Sequence, residues 1–156
     1  MTWSVDGTGK ASIGADGTAT REIVSFMEAQ FAACRVLVVD DEPLIRWAIA
    51  ETLADLGYSV IEAGDGETAL QALAEVSIPV DIILLDYCLP DSDSLALLSA
   101  IRRLAPASQV IMMTAVGAPD LTKGALALGA YCLMNKPFEM GEVAAVVQHA
   151  HHDRLR

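Results

Sequence analysis

The chain has 156 residues, 53 % of them hydrophobic, which is the size and apolar content of one globular domain with its own core. Its formal net charge is −11, and because nucleic-acid phosphates are bound by clustered Lys and Arg, this balance argues against direct nucleic-acid binding. No apolar run reaches the roughly 18 to 20 residues of a membrane span, and the N-terminus has no secretory leader, so we expect no membrane partner and a cytoplasmic location.

The N-terminal segment divides into two parts. Residues 1–20 are rich in Gly, Ser, Thr, Asp and Ala, and such a composition buries too little surface to offset the entropy of ordering. We therefore predict a disordered arm there. Residues 21–33 place Ile23, Phe26 and Phe31 at helical spacing, which predicts a short amphipathic helix. This helix either packs on the domain or serves dimerisation or docking.

From residue 34 to residue 152, short apolar runs alternate with longer amphipathic stretches. The predicted strands are residues 35–39, 59–63, 81–85, 109–113 and 131–134. The predicted helices are residues 43–56, 66–75, 94–104, 119–128 and 139–152. Gly57 and Gly129 stand where helices should end. The alternation predicts an α/β fold, a doubly wound five-stranded parallel sheet with helices on both faces and the flavodoxin-like order 2-1-3-4-5.

Polar side chains follow four of the predicted strands. In such sheets ligands bind beyond the carboxyl ends of the strands. The residues at those ends are Asp40, Asp41, Asp86, Thr114 and Lys136. Carboxylates at close quarters repel each other, and Mg²⁺, a hard cation that takes oxygen ligands, relieves that repulsion. We therefore predict that Asp40, Asp41 and Asp86 hold Mg²⁺.

The same residues predict phosphoryl chemistry. Carboxylates form acyl phosphates, and phosphoryl transfer mainly requires positioning and charge neutralisation, so Asp86 beside a cation is a candidate nucleophile. Lys136 is expected to pair with one phosphoryl oxygen, and the Thr114 hydroxyl is expected to donate to another. Each of these groups thus has a physical role in a phosphoacceptor site.

Four segments resemble the receiver domains of two-component signalling over roughly residues 34–150. They are VLVVDDEP at 36–43, LLDYCLP at 84–90, MTA at 113–115 and KPF at 136–138. The resemblance implies that Asp86 is the phosphoacceptor and that the backbone carbonyl of Cys88 joins Asp40 and Asp41 in holding Mg²⁺. It implies that Thr114 and Lys136 read the phosphoryl group. The donor in such a phosphorelay is a histidine kinase or a histidine phosphotransfer protein.

Several positions depart from the usual receiver pattern. Leu133 stands where an aromatic residue usually swings inward, and Tyr131, two residues earlier, is expected to pack on the same side of that strand. Cys88 and Val116 offer no strong polar group to orient a hydrolytic water, so we predict a long-lived phosphoaspartate. The three cysteines are expected to be reduced thiols in the core.

The loop after Asp86 also departs from the pattern. Asp91 and Ser94 occupy positions where the family often has glycine, so the turn either avoids positive φ or accepts it in Asp and Ser. Asp93 or Ser94 is expected to cap the following helix. Trp47, in the first helix, is expected to serve packing.

Two alternative functions remain open on the sequence alone. A phosphatase of the haloacid-dehalogenase type also uses an Asp nucleophile with Mg²⁺, but it needs a second acid where this chain has Cys88. A receiver-like module that binds proteins without phosphorylation is the other. Too little chain follows residue 152 for an effector domain, so the chain is a stand-alone receiver or a fragment. Residues 119–152 are the expected face for a homodimer or an effector. Their apolar residues, such as Leu121, Val143 and Val147, could serve that face, although core packing is the commoner reason for such residues.

Overall fold

The computed structural model describes residues 33–75, 77, 79–115 and 119–155. The predicted arm at 1–20 lies outside the described residues, and so do Val116 and all but the last residue of the predicted helix 21–33.

Five parallel strands form one sheet in the order β2-β1-β3-β4-β5, which confirms the predicted topology. The strands are β1 (Arg35–Val39), β2 (Ser59–Ala63), β3 (Ile82–Asp86), β4 (Gln109–Thr114) and β5 (Cys132–Asn135). The helices are α1 (Pro43–Asp55), α2 (Gly66–Glu75), α3 (Ser94–Leu104), α4 (Pro119–Ala127) and α5 (Met140–Arg154). Gly57 and Gly129 take positive φ, 93° and 96°, just past the ends of α1 and α4, as predicted.

The core lies on both faces of the sheet because the central strands carry continuous apolar runs, Val36–Val39 in β1 and Ile82–Leu85 in β3. On one face, Leu37 and Ile83 pack with side chains from α2, α3 and α4. On the other face, Val36 and Ile82 pack with side chains from α1 and α5. Burial on both faces is what continuous Val, Ile and Leu runs produce in a parallel sheet.

Some predicted boundaries shift by one or two residues. β3 begins at Ile82 and ends at Asp86, one residue later than predicted, and β4 extends to Thr114 because the ladders pair Asp86 with Met113 and Thr114 with Asn135. Asp81, predicted as the first residue of this strand, instead accepts a hydrogen bond from the Arg35 backbone nitrogen at 2.8 Å.

The C-terminal helix is longer than predicted and is held at its end by an ion pair. α5 runs to Arg154, whose Nη1 lies 2.7 Å from Asp81 Oδ1. Leu121, Val143 and Val147 are buried in the core, which confirms the commoner of the two roles expected for them and leaves them unavailable to a partner on the 119–152 face. Their burial follows from the faces that α4 and α5 turn toward the sheet.

The predicted placement of Tyr131 beside Leu133 is wrong. β5 begins only at Cys132, so Tyr131 does not follow the alternation of the strand. Tyr131 packs against the α1 and α5 side of the sheet, and its hydroxyl donates to Asp153 Oδ2 at 2.6 Å, whereas Leu133 packs on the opposite side. Within the part of the chain that the structure describes, none of the helices has the length and apolar character needed to cross a membrane.

Candidate functional site at the carboxyl edge of the sheet

The structure brings the five predicted side chains to one edge of the sheet. Asp40 directly follows β1, Asp86 ends β3, Thr114 ends β4 and Lys136 follows β5. Asp40, Asp86 and Thr114 are buried, at 0 %, 4 % and 2 % exposure, while Asp41 is exposed. The site therefore consists of a buried polar floor with one carboxylate at its rim.

Lys136 joins the two buried carboxylates. Its Nζ lies 3.0 Å from Asp40 Oδ2 and 3.4 Å from Asp86 Oδ1. Its backbone nitrogen donates to the Thr114 carbonyl oxygen at 2.6 Å, which fixes the chain just after β5 against the end of β4. Burial would lower the pKa of Lys136, but the hydrogen bond and charge of Asp40, and then those of Asp86, raise it above its usual value. Lys136 is therefore a cation at neutral pH.

Asp86 is held in an environment that disfavours its charge. Burial is the largest cause, and the charge of Asp40 adds to it, so the pKa of Asp86 rises from 3.8 to about 6. The charge of Lys136 and a hydrogen bond from the Cys88 backbone nitrogen, 3.2 Å from Oδ1, lower the pKa in opposition. Asp86 is consequently ionised at neutral pH, but at a cost that a further cation would reduce.

The acidic side chains fit a divalent metal ion. Carboxylate oxygens of Asp40, Asp41 and Asp86 all lie within 4.8 Å of one another. Asp40 is oriented by two further contacts, since its Oδ1 accepts from the Glu42 backbone nitrogen at 2.9 Å and its Oδ2 from Lys136. Hard oxygen donors at this separation, with an unrelieved repulsion between them, are a ligand set for Mg²⁺.

The loop between β3 and α3 forms the other wall of the site. A cavity of about 520 Å³ is lined by Asp41, Tyr87, Cys88 and the residues that follow them. Cys88 is exposed there, so the prediction of buried thiols is wrong for this cysteine, although it holds for Cys34. Asp93 caps α3 by accepting hydrogen bonds from the backbone nitrogens of Leu95 and Ala96. Of the two residues predicted as possible caps, Asp93 and Ser94, it is therefore Asp93 that caps the helix.

Two residues near the site were missed by reasoning from sequence. Arg46 donates from Nη1 to the Asp40 backbone oxygen at 2.7 Å. Asp91 accepts hydrogen bonds from the backbone nitrogens of Gly66 and Glu67, at 3.0 and 3.2 Å, and so caps α2 rather than α3. An acidic residue in a loop does signal a helix cap, but that signal does not tell which helix is capped.

The comparisons with known proteins agree with this geometry. Residues 36–148 match the family model described as the response regulator receiver domain. The DNA-binding transcriptional regulator NtrC of Escherichia coli K12 is 38 % identical over 115 residues, covering 74 % of this chain and 24 % of NtrC. The transcriptional regulatory protein PdtaR of Mycobacterium tuberculosis H37Rv is 36 % identical over 117 residues, covering 73 % of this chain and 55 % of PdtaR.

A solved structure of similar shape is the chemotaxis protein CheY4 of Vibrio cholerae. It superposes with a TM-score of 0.71 at 29 % identity, covering 76 % of this chain and 99 % of CheY4. The chain thus spans about a quarter of NtrC, about half of PdtaR and nearly all of CheY4. With the sheet order, the acidic site and the family model in agreement, the chain belongs to the response regulator receiver domain family of two-component signalling.

Proposed function

We propose that this receiver domain is switched by a phosphoryl group carried on Asp86. The observation that carries the proposal is the meeting of Lys136 with two buried carboxylates at the end of the sheet, 3.0 Å from Asp40 and 3.4 Å from Asp86. A partly buried cation between acids, with Thr114 at the end of the neighbouring strand, is suited to receive the oxygens of a phosphoryl group.

The proposed reaction uses Asp86 as a nucleophile. One carboxylate oxygen of Asp86 attacks phosphorus, a P–O bond forms, and the bond between phosphorus and the donor nitrogen breaks with its electron pair going to the donor. At neutral pH Asp86 is deprotonated, since its pKa is about 6, so no base is needed to remove a proton first. Lys136 would pair with a phosphoryl oxygen, and the Thr114 hydroxyl would donate to another.

The proposed metal ion is Mg²⁺, held by Asp40, Asp41 and Asp86, with the backbone carbonyl of Cys88 as a further ligand. When bound, it supplies positive charge that offsets the negative charge of the carboxylates and the incoming phosphoryl group. Asp41 is the ligand at the rim, because it alone of the three acids is exposed. Asp40 is held in a defined orientation, since the Glu42 backbone nitrogen and Lys136 donate to its two oxygens.

The proposed donor is a histidine kinase or a histidine phosphotransfer protein that docks beside α1. This helix begins directly after the Asp40–Glu42 turn, and it exposes Leu44 by 81 % and Trp47 by 59 %. Exposed large apolar side chains next to a reactive site are typical of contact surfaces. The expectation that Trp47 serves packing is therefore replaced by a role at this docking face.

The proposed output passes through the 119–152 face to a second copy or an effector protein. With Leu121, Val143 and Val147 buried, the large exposed apolar residues there are Leu126 and Leu128. We further propose that residues 34–152 act in the cytoplasm as a regulatory domain without turnover of other substrates. Cys88 stands two residues after Asp86, where a phosphatase of the haloacid-dehalogenase type needs an acid.

Intact mass spectrometry after incubation with acetyl phosphate and Mg²⁺ tests the proposal. The wild type should gain one phosphoryl group, about 80 Da, and Asp86→Asn should gain none. Asp93→Asn is the matched control, because this carboxylate lies on the same loop but caps α3, and it should gain the same mass as the wild type.

Two results would count against the proposal. A phosphoryl group that persists in Asp86→Asn would place the acceptor elsewhere. No mass gain in the wild type, together with no binding of beryllofluoride in Mg²⁺, would instead favour a module that binds proteins without phosphorylation.

A further inference from the structure

The two loops that carry proposed Mg²⁺ ligands beyond the strands, the Asp40–Glu42 turn and the loop after β3 with Cys88, are both attached to a third segment. This segment, residues 62–67, runs from the end of β2 into α2 and contributes none of the proposed site residues. One attachment comes from Arg46 on α1 and the other from Asp91 on the loop after β3.

Arg46 links the Asp40 turn to the 62–67 segment. Its Nη1 donates to the Asp40 backbone oxygen at 2.7 Å, and its Nε lies 3.3 Å from Glu62 Oε1. The guanidinium lies against Gly64, where an added Cβ would come within 3.3 Å of Nη1. The Asp40 backbone nitrogen also donates to the Ala63 oxygen, at 3.1 Å. Both the backbone nitrogen and the backbone oxygen of Asp40 are thus held by hydrogen bonds.

Asp91 links the loop after β3 to the same segment. Its Oδ1 accepts from the Gly66 backbone nitrogen at 3.0 Å, and its Oδ2 accepts from Glu67 at 3.2 Å. A Cβ on Gly66 would overlap the Ser92 hydroxyl oxygen, so a larger residue there would require the Ser92 side chain to move. The hydrogen bond from Gly66 lowers the pKa of Asp91, which keeps the acceptor charged. The loop that carries Cys88 is therefore fixed at its far end.

We propose that Arg46 and Asp91 are positioning residues of the phosphoacceptor site, which hold its two ligand-bearing loops together through the 62–67 segment. The inference rests on the proposed function, because it concerns the Mg²⁺ affinity of that site. Asp41 and Cys88 lie beyond the ends of the paired strands, so the ladder does not fix them, and the hydrogen bonds to the 62–67 segment limit the movement of the loops that carry them. Outer hydrogen-bond partners of metal ligands typically change metal affinity by about 10- to 100-fold.

The test compares Mg²⁺ binding with phosphorylation in the whole chain. Calorimetric titration gives the Mg²⁺ dissociation constant, and acetyl phosphate labelling gives the Mg²⁺ concentration for half-maximal rate. Arg46→Ala and Asp91→Ala should each need about tenfold more Mg²⁺, with the rate at saturating Mg²⁺ close to that of the wild type. This separation distinguishes positioning from a general loss of folded protein.

The opposite charges of Arg46 and Asp91 help to separate lost positioning from a simple change of charge. Removing the positive charge of Arg46 would by itself tighten Mg²⁺ binding, so a weakened affinity in Arg46→Ala points to lost positioning. Asp91→Asn removes the charge but keeps an oxygen acceptor for Gly66, so it should recover most of the affinity lost in Asp91→Ala. Asp93→Ala is the matched control, since it removes a carboxylate and a helix cap from the same loop without touching the 62–67 segment.

Wild-type Mg²⁺ affinity in both alanine variants would overturn the inference. An equal loss in Asp93→Ala, or no recovery in Asp91→Asn, would also overturn it. If Arg46→Ala does not fold, as judged by circular dichroism, Arg46→Lys replaces it, and if Asp91→Ala does not fold, Asp91→Gly, which also lacks the acceptor oxygens, replaces it. A Mg²⁺ requirement equal to the wild type in both replacement variants would count against the inference. Failure of the wild type to bind Mg²⁺ or to take up a phosphoryl group is a different result, because it rejects the proposed function itself.

Discussion

Replacing Asp86 by asparagine should stabilise the metal-free protein at neutral pH, although it removes the proposed phosphoacceptor. Asp86 is buried beside Asp40, and its pKa is raised from 3.8 to about 6, with burial as the largest cause. Asparagine has a similar shape and keeps an oxygen that can accept from the Cys88 backbone nitrogen and from Lys136. It removes the buried charge and the repulsion with Asp40.

The size and the pH dependence follow from the pKa shift. The rise in the pKa of Asp86 from 3.8 to about 6 corresponds to roughly 3 kcal/mol, which is an upper limit for the increase in the free energy of unfolding in Asp86→Asn. Because the folded state holds this proton more tightly than the unfolded state, the wild type loses stability relative to the variant as pH rises from about 4 to about 6. The two proteins should be equally stable below pH 4, and the full difference should be present above pH 6.

Urea unfolding followed by circular dichroism, in EDTA at pH 4 to 8, measures this difference. Asp41→Asn is the control, because the same chemical change at an exposed carboxylate should alter stability by less than about 0.5 kcal/mol. Adding Mg²⁺ should stabilise the wild type more than Asp86→Asn, since the metal binds the folded state. A variant less stable than the wild type at pH 7.5 in EDTA would show that attraction to Lys136 outweighs burial and repulsion, and would refute the reasoning.

Three further predictions concern the lysine, the core and the lifetime of the phosphoryl group. Lys136→Ala should destabilise the metal-free protein by about 3 kcal/mol in urea unfolding at pH 7.5, because it leaves two buried carboxylates uncompensated. Leu44→Ala, at an exposed site, is the control, and a loss of stability in Lys136→Ala smaller than that in Leu44→Ala would contradict the prediction. Leu98→Ala should cost 2 to 5 kcal/mol, roughly, in the same assay, since Leu98 is fully buried, and a loss below about 1 kcal/mol would contradict the packing. The phosphorylated protein should keep its added mass well beyond seconds at neutral pH, because the Cys88 thiol does not orient a hydrolytic water, and loss within seconds would reject this prediction.

The main features of the site could be predicted from the sequence because a parallel sheet gathers its strand ends. Asp40, Asp86, Thr114 and Lys136 are up to 96 positions apart, and the structure places them at one edge. That convergence requires only the order of the strands and the rule that ligands bind at their carboxyl ends. Apolar runs reveal the strands themselves, so both the fold and these residues follow from local patterns.

The contacts that sequence patterns did not reveal are those made between distant loops. Asp91 accepts from Gly66 across 25 positions, and local capping rules consider only the helix that follows a polar residue. The predicted placement of Tyr131 was wrong for a different reason. Because the strand begins one residue later than predicted, Tyr131 lies outside it and does not follow its alternation, and apolar runs define strand ends to within only a few residues.

The place of Asp86 within the sheet explains why its electrostatic strain persists. β3 is paired on both sides, with β1 and β4, and all of its residues are buried. The backbones that carry Asp40 and Asp86 are adjacent ends of paired strands, so they cannot separate without breaking the ladder. Relief must therefore come from groups brought to the carboxylates, which are Lys136 from the turn after β5, a metal ion, or a proton. Of these, Lys136 is the group that belongs to the chain itself, and its Nζ lies within 3.4 Å of both acids.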